Sequence, residues 1–67
     1  MTNMKPIRTA LLAADKQDIE DAAATWSNFV CAKLDPDGDI YVCNPTGNGR
    51  WLNADDLVTF HAWCEAQ

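Results

Sequence analysis

Apolar positions recur with a helical period through the first third of the chain. Ile7, Ala10, Leu11 and Ala14 fall at i, i+3, i+4 and i+7, and Pro6 suits the first turn of a helix that begins just before them. Ile19, Ala22, Ala23 and Trp26 repeat the spacing. At ~100° per residue, the second stripe lies roughly 120° around the axis from the first. One straight helix would therefore need two buried faces. Asp15 can cap a new helix with Asp18 three residues on, so the pattern predicts a break near Ala14–Asp15.

Beyond Trp26 the period changes from helical to alternating. Val30, Ala32 and Leu34 share one face of a strand, and Ile40 and Val42 answer them after the stretch KLDPDGDIY. "NPTGNG" follows as a second cluster of turn formers, and "RWL" is long enough for a brief third strand beside Tyr41–Asn44. Asn53 then caps a last helix with Asp56 at its third position. That helix carries a stripe of Leu57, Phe60, His61 and Cys64, flanked by Val58 and Trp63. Asp55 and Asp56 suit the positive end of its dipole. The order α(α)ββ(β)α predicts a single α+β domain over residues 1–67, a short antiparallel sheet packed on helices.

The three aspartates of KLDPDGDIY could begin a calcium loop. Such a loop needs glycine at its sixth position and glutamate at its twelfth, where this chain has Ile40 and Thr46. A hairpin turn accounts for every residue without an ion. Pro36 presets the first corner of a type I turn, Asp37 takes the second, and Gly38 adopts the left-handed conformation of the bulge that follows. Asp35 then faces Asp39, and pairing runs outward as Leu34–Ile40, Lys33–Tyr41, Ala32–Val42 and Cys31–Cys43. This register gives the sheet two faces. Val30, Ala32, Leu34, Ile40 and Val42 form an aliphatic side for the core. Phe29, Cys31, Lys33, Tyr41 and Cys43 form an aromatic, thiol-bearing side that so short a chain leaves open.

Composition narrows the function classes. The chain has 67 residues, 48% of them apolar and three of them tryptophan, which is enough for a folded domain but little for an enclosed enzyme pocket. A formal charge of −5, with only five Lys and Arg, opposes direct binding to nucleic acid. The acidic groups form three clusters, Asp15 to Asp21, Asp35 to Asp39, and Asp55 with Asp56. They serve as caps, turn formers and solubilising charge, or they complement a basic surface on another protein. No apolar run approaches the ~20 residues of a membrane span, and no secretory signal opens the chain, so a soluble cytoplasmic protein is expected. An odd set of three cysteines fits free thiols.

Candidate chemistry is sparse. Cys31 and Cys43 on a hairpin, followed by His61 and Cys64 on a helix, supply four zinc-ligand types, though without the short spacing of zinc motifs. All four also make sense as packing residues, and Cys31 and Cys43 could instead form a labile disulfide. Catalytic residues are expected to be absent, since the one histidine shares its helix with Cys64 and no concave constellation can be drawn. A winged-helix arrangement would turn Asp18, Glu20 and Asp21 toward phosphate. No cofactor is implied.

The expected function is therefore a non-enzymatic protein-binding module. Short acidic α+β proteins of phage and mobile elements that inhibit host machinery, anti-CRISPR proteins among them, share its size and composition. On that expectation the partner is a larger host protein, for example a nucleic-acid-binding complex, whose basic site is occluded. Phe29, Tyr41 and Trp51 serve as anchors beside Lys33, with Asp35, Asp37 and Asp39 giving long-range attraction. The alternatives are a structural homodimer or accessory subunit that pairs its open sheet faces, and a small zinc-stabilised domain.

Overall fold

The computed structural model of the chain describes residues 3–67. Its elements are α1 (Lys5–Ala13), α2 (Lys16–Ser27), β1 (Cys31–Leu34), β2 (Ile40–Cys43), β3 (Gly49–Trp51) and α3 (Ala54–Glu65). This is the expected α+β order, with the first two helices separate and a third strand present. The helix break falls at Ala14–Asp15. Ala14 is extended, and the Asp15 carboxylate accepts the Asp18 backbone N–H at 3.1 Å. Asn53 and Asp56 form a reciprocal capping box at the start of α3, each side chain accepting the other's backbone N–H.

The sheet is antiparallel in the order β1-β2-β3. Its first hairpin has the expected register, from Leu34–Ile40 through Cys31–Cys43. In the second, Tyr41, Val42 and Cys43 pair with Trp51, Arg50 and Gly49, one position earlier than "RWL" suggests. Leu52 leaves the strand to enter the core, and its N–H still donates to the Ile40 carbonyl at 2.9 Å.

The core lies between the helices and the inner sheet face. Ala32, Leu34, Ile40 and Val42 meet Leu11, Ile19, Ala23, Leu52, Leu57 and Phe60. Where α2 meets α3, Trp26 and Trp63 flank Phe60, with ring centroids 5.6 and 6.3 Å from it. The buried face of α1 is Met4, Ile7 and Leu11, while Ala10 and Ala14 are exposed, which shifts its predicted stripe toward its amino terminus.

Two residues before β1 exchange their expected places. Val30, assigned to the core, is 68% exposed, and Phe29, assigned to the open face, packs against the core. The cause is the end of α2. Asn28 adopts φ 65°, its N–H donates to the Thr25 carbonyl at 3.3 Å, and the Phe29 N–H donates to the Ala24 carbonyl at 3.1 Å. This paired closure turns the residue after the left-handed position back onto the helix it ends. Strand alternation begins only at Cys31, so it cannot be extended backward through residues 29 and 30.

β1 is an edge strand, and α2 covers its margin. The buried Glu20 carboxylate accepts the Leu34 N–H at 2.9 Å, a donor that faces away from β2. A hydrogen bond to a charged acceptor there contributes about 1.5–3 kcal/mol.

Candidate functional site

The outward face of the sheet carries two rows that run across all three strands. Lys33, Tyr41 and Trp51 make one, and Cys31, Cys43 and Gly49 make the other. No described helix lies over these rows, because the helices and the buried side chains are on the opposite face. The Tyr41 and Trp51 rings pack at 5.2 Å with a 59° tilt, and Trp51 is still 56% exposed. A Cβ on Gly49 would lie 2.6 Å from the Tyr41 hydroxyl, so the missing side chain is what lets the tyrosine lean across β3. Of the three expected anchors, Tyr41 and Trp51 therefore sit together with Lys33 beside them, and Phe29 is elsewhere.

The second row brings two thiols together. Cys31 and Cys43 have sulfurs 2.9 Å apart, and the Cys31 thiol also donates to the Cys43 carbonyl at 3.4 Å. The hydrogen bond with Cys31 pushes the Cys43 thiol above its ordinary pKa. Burial and the charge of Cys31 add to the rise, and Lys33 opposes it. Cys64 lies on α3 against the core, where burial and then Glu65 raise its pKa. His61 points along its own helix to Glu65, Nε2 to Oε1 at 3.2 Å. Among the described residues no three His, Cys, Asp or Glu side chains gather as a metal ion requires, so Cys31, Cys43, His61 and Cys64 do not assemble into a zinc site.

The acidic turn is largely engaged in structure. One carboxylate oxygen of Asp35 accepts the Asp37 and Asp39 backbone N–H groups at 3.0 and 2.9 Å. Asp39 pairs with Arg8 of α1 at 2.9 Å, and the buried Arg8 Nε has no hydrogen-bond partner. Asp37 alone of the three is exposed. Beside this turn, Leu12, Lys16, Leu34, Asp35 and Pro36 line an open cavity of about 230 Å3, smaller than typical small-molecule sites.

Sequence reasoning missed Arg8, Glu20 and the Arg50–Asp56 ion pair at 2.7 Å that ties β3 to α3. Nothing local marks Arg8 or Glu20, since their partners are 31 and 14 residues away along the chain. Arg50 could have been found from strand alternation, which sets it on the helix side of a strand beside an acidic helix start.

No protein-family model matches the chain, and no curated protein and no solved structure matches it either. The α+β fold and the composition of the open face are thus the grounds for a functional reading. Among the described residues, no helix is long and apolar enough to cross a membrane.

Proposed function

We propose that this protein is a non-enzymatic binding module whose open sheet face seats on a larger protein. The observation that carries the reading is the Tyr41–Trp51 pair, two amphipathic rings in contact on a face without a cover. A few residues carry most of the energy of a protein contact, and Trp and Tyr are enriched among them. Charge gives the class of target. A net charge of −5 favours a basic surface, and the exposed Asp18, Asp21 and Asp37 add to a field that speeds encounter with one. The module then acts by occlusion, in the manner of a phage or mobile-element inhibitor that covers the nucleic-acid site of a host defence protein.

Affinity capture from bacterial lysate with wild type, Trp51→Ala and Tyr41→Ala in parallel tests this reading. A specific partner should be retained by wild type and bound about 30-fold or more weakly by either variant, the effect of losing an interface anchor. Unchanged capture by both variants would sink it. Sedimentation addresses the homodimer alternative, because a stable dimer that buries Tyr41 and Trp51 leaves no free face.

A further inference from the structure

Cys31 and Cys43 occupy opposed positions on adjacent antiparallel strands, on the sheet face that no described helix covers. The turn fixes their kind of pairing. The Asp35 N–H donates to the Asp39 carbonyl, and strict alternation from there makes Lys33–Tyr41 and Cys31–Cys43 the hydrogen-bonded pairs of the ladder. Such pairs hold their Cα atoms about 5.5 Å apart, near the commonest separation in disulfides. The sulfurs already touch at 2.9 Å. Bond formation then needs the sulfurs to close from 2.9 Å to a bonded length of about 2.05 Å, by side-chain rotation and a drawing together of the two strands at Cβ.

We propose that Cys31 and Cys43 are a reversible oxidation site, forming a cross-strand disulfide by exchange with a low-molecular-weight disulfide such as oxidised glutathione. The Cys31 thiolate attacks one sulfur of the glutathione disulfide. That bond breaks, a mixed disulfide forms on Cys31, and one glutathione leaves as a thiolate that takes up the displaced proton. The Cys43 sulfur then attacks Cys31, and the second glutathione leaves. Two protein thiols are oxidised and one glutathione disulfide is reduced to two thiols. The 2.9 Å contact lets either sulfur lead, so the exchange runs equally with Cys43 as the attacking thiolate and Cys31 as the resolving one. Capping of the first ends that contact and leaves the second beside the mixed disulfide.

Cys64 is a control within the same chain. It sits half-buried on α3, packed against the core and with no cysteine bonded to it, so it has no resolving partner. The pair shares the face proposed to seat a partner but does not rest on that proposal, since the free chain presents both thiols there.

The whole chain is equilibrated in buffers spanning reduced to oxidised glutathione, quenched with acid, and read by intact mass and peptide mapping. The expected product is lighter by two hydrogens, links Cys31 to Cys43 within one chain, and reverts in reduced glutathione. Its melting temperature should rise on the order of 10 °C, the effect of closing a loop of this length in the unfolded chain. Cys31→Ser should instead accumulate a persistent glutathione adduct on Cys43, and Cys64→Ala should behave as wild type. The proposal is overturned if Cys31 and Cys43 stay reduced in oxidised glutathione, if adducts persist on either in the wild-type chain, or if the link runs through Cys64 or between chains.

Discussion

Residues 35–39 and 44–48 turn the sheet twice with one backbone and in two different surroundings. In Asp-Pro-Asp-Gly-Asp the Gly38 N–H donates to the Asp35 carbonyl at 3.1 Å and the Asp35 N–H to the Asp39 carbonyl at 2.9 Å. In Asn-Pro-Thr-Gly-Asn the same two bonds, from Gly47 and Asn44, measure 3.0 and 2.7 Å. Gly38 and Gly47 have φ of 87° and 98°. The surroundings differ throughout. Gly38 is buried under Arg8 of α1, whereas nothing lies near Gly47. Asp35 uses its side chain within its own turn, and Asn44 reaches out to the Val30 N–H at 3.0 Å. Local sequence thus sets the backbone of a turn, and the elements packed against it set how much stability depends on it.

The glycines give the largest test of that difference. Alanine at Gly47 meets only backbone strain and should cost about 1–2 kcal/mol. Alanine at Gly38 adds a Cβ 2.8 Å from that of Arg8, so the cost should reach about 3 kcal/mol. Urea unfolding of both variants checks this, and equal losses would show that docking on α1 adds nothing. Truncating the first residue of each turn should separate them less. Asp35→Ala leaves two backbone donors without their acceptor and should lose about 1–2 kcal/mol. Asn44→Ala releases one exposed donor, for about 0.5–1 kcal/mol.

Each hairpin is also tied to a helix by an Arg–Asp pair, Arg8–Asp39 in the first and Arg50–Asp56 in the second. For Asp56, burial disfavours the charged form. The hydrogen bond from Arg50, the Asn53 N–H and the Arg50 charge outweigh it and hold the carboxyl below its usual range. A carboxylate with a depressed folded pKa stabilises the fold above its unfolded value near 3.8, and that contribution is lost as pH falls through the folded value. Wild type should therefore lose more stability than Arg50→Gln between pH 6 and pH 2. The difference should stay below about 1 kcal/mol for a pair this exposed. Chemical unfolding at both pH values measures it, and parallel losses would remove the pair from the account.

What could be read in the sequence divides along the same line. The Pro-Asp-Gly stretch fixed the first hairpin to the residue, and Asp15 and Asn53 marked the starts of their helices, because each feature is settled within a few neighbouring positions. The repeat of that turn at 44–48 was equally local, and it is visible in the shared Pro-x-Gly spacing nine residues on. Phe29 and Val30 were misplaced because a left-handed Asn28 interrupts the alternation that strand logic extends through them. Arg8 over Gly38 and Glu20 at the edge of β1 depend on where two helices dock, which no window of sequence contains. Of the candidate contact face, Lys33 beside Tyr41 followed from the register of the first hairpin, whereas Trp51 beside Tyr41 depends on a second register that the turn formers at 44–49 did not spell out.

The smallest expected effect bears most directly on function. Asp37 and Thr46 stand at the same corner of the two turns, and both are exposed. The bond from residue 37 to Asp35 uses its backbone N–H, so Asp37→Thr keeps it and should change stability by no more than about 0.5 kcal/mol. Asp35 and Asp39 cannot be tested this way, because each holds the turn or α1 in place. With the fold unchanged, Asp37→Thr isolates the charge at the tip. If that charge steers a basic partner, the variant should associate more slowly at low salt and at nearly the wild-type rate once salt screens both. Stopped-flow or surface-based association rates across ionic strength measure this. Indistinguishable rates at low salt would assign the acidic turn to folding alone and leave any steering to the exposed aspartates of α2.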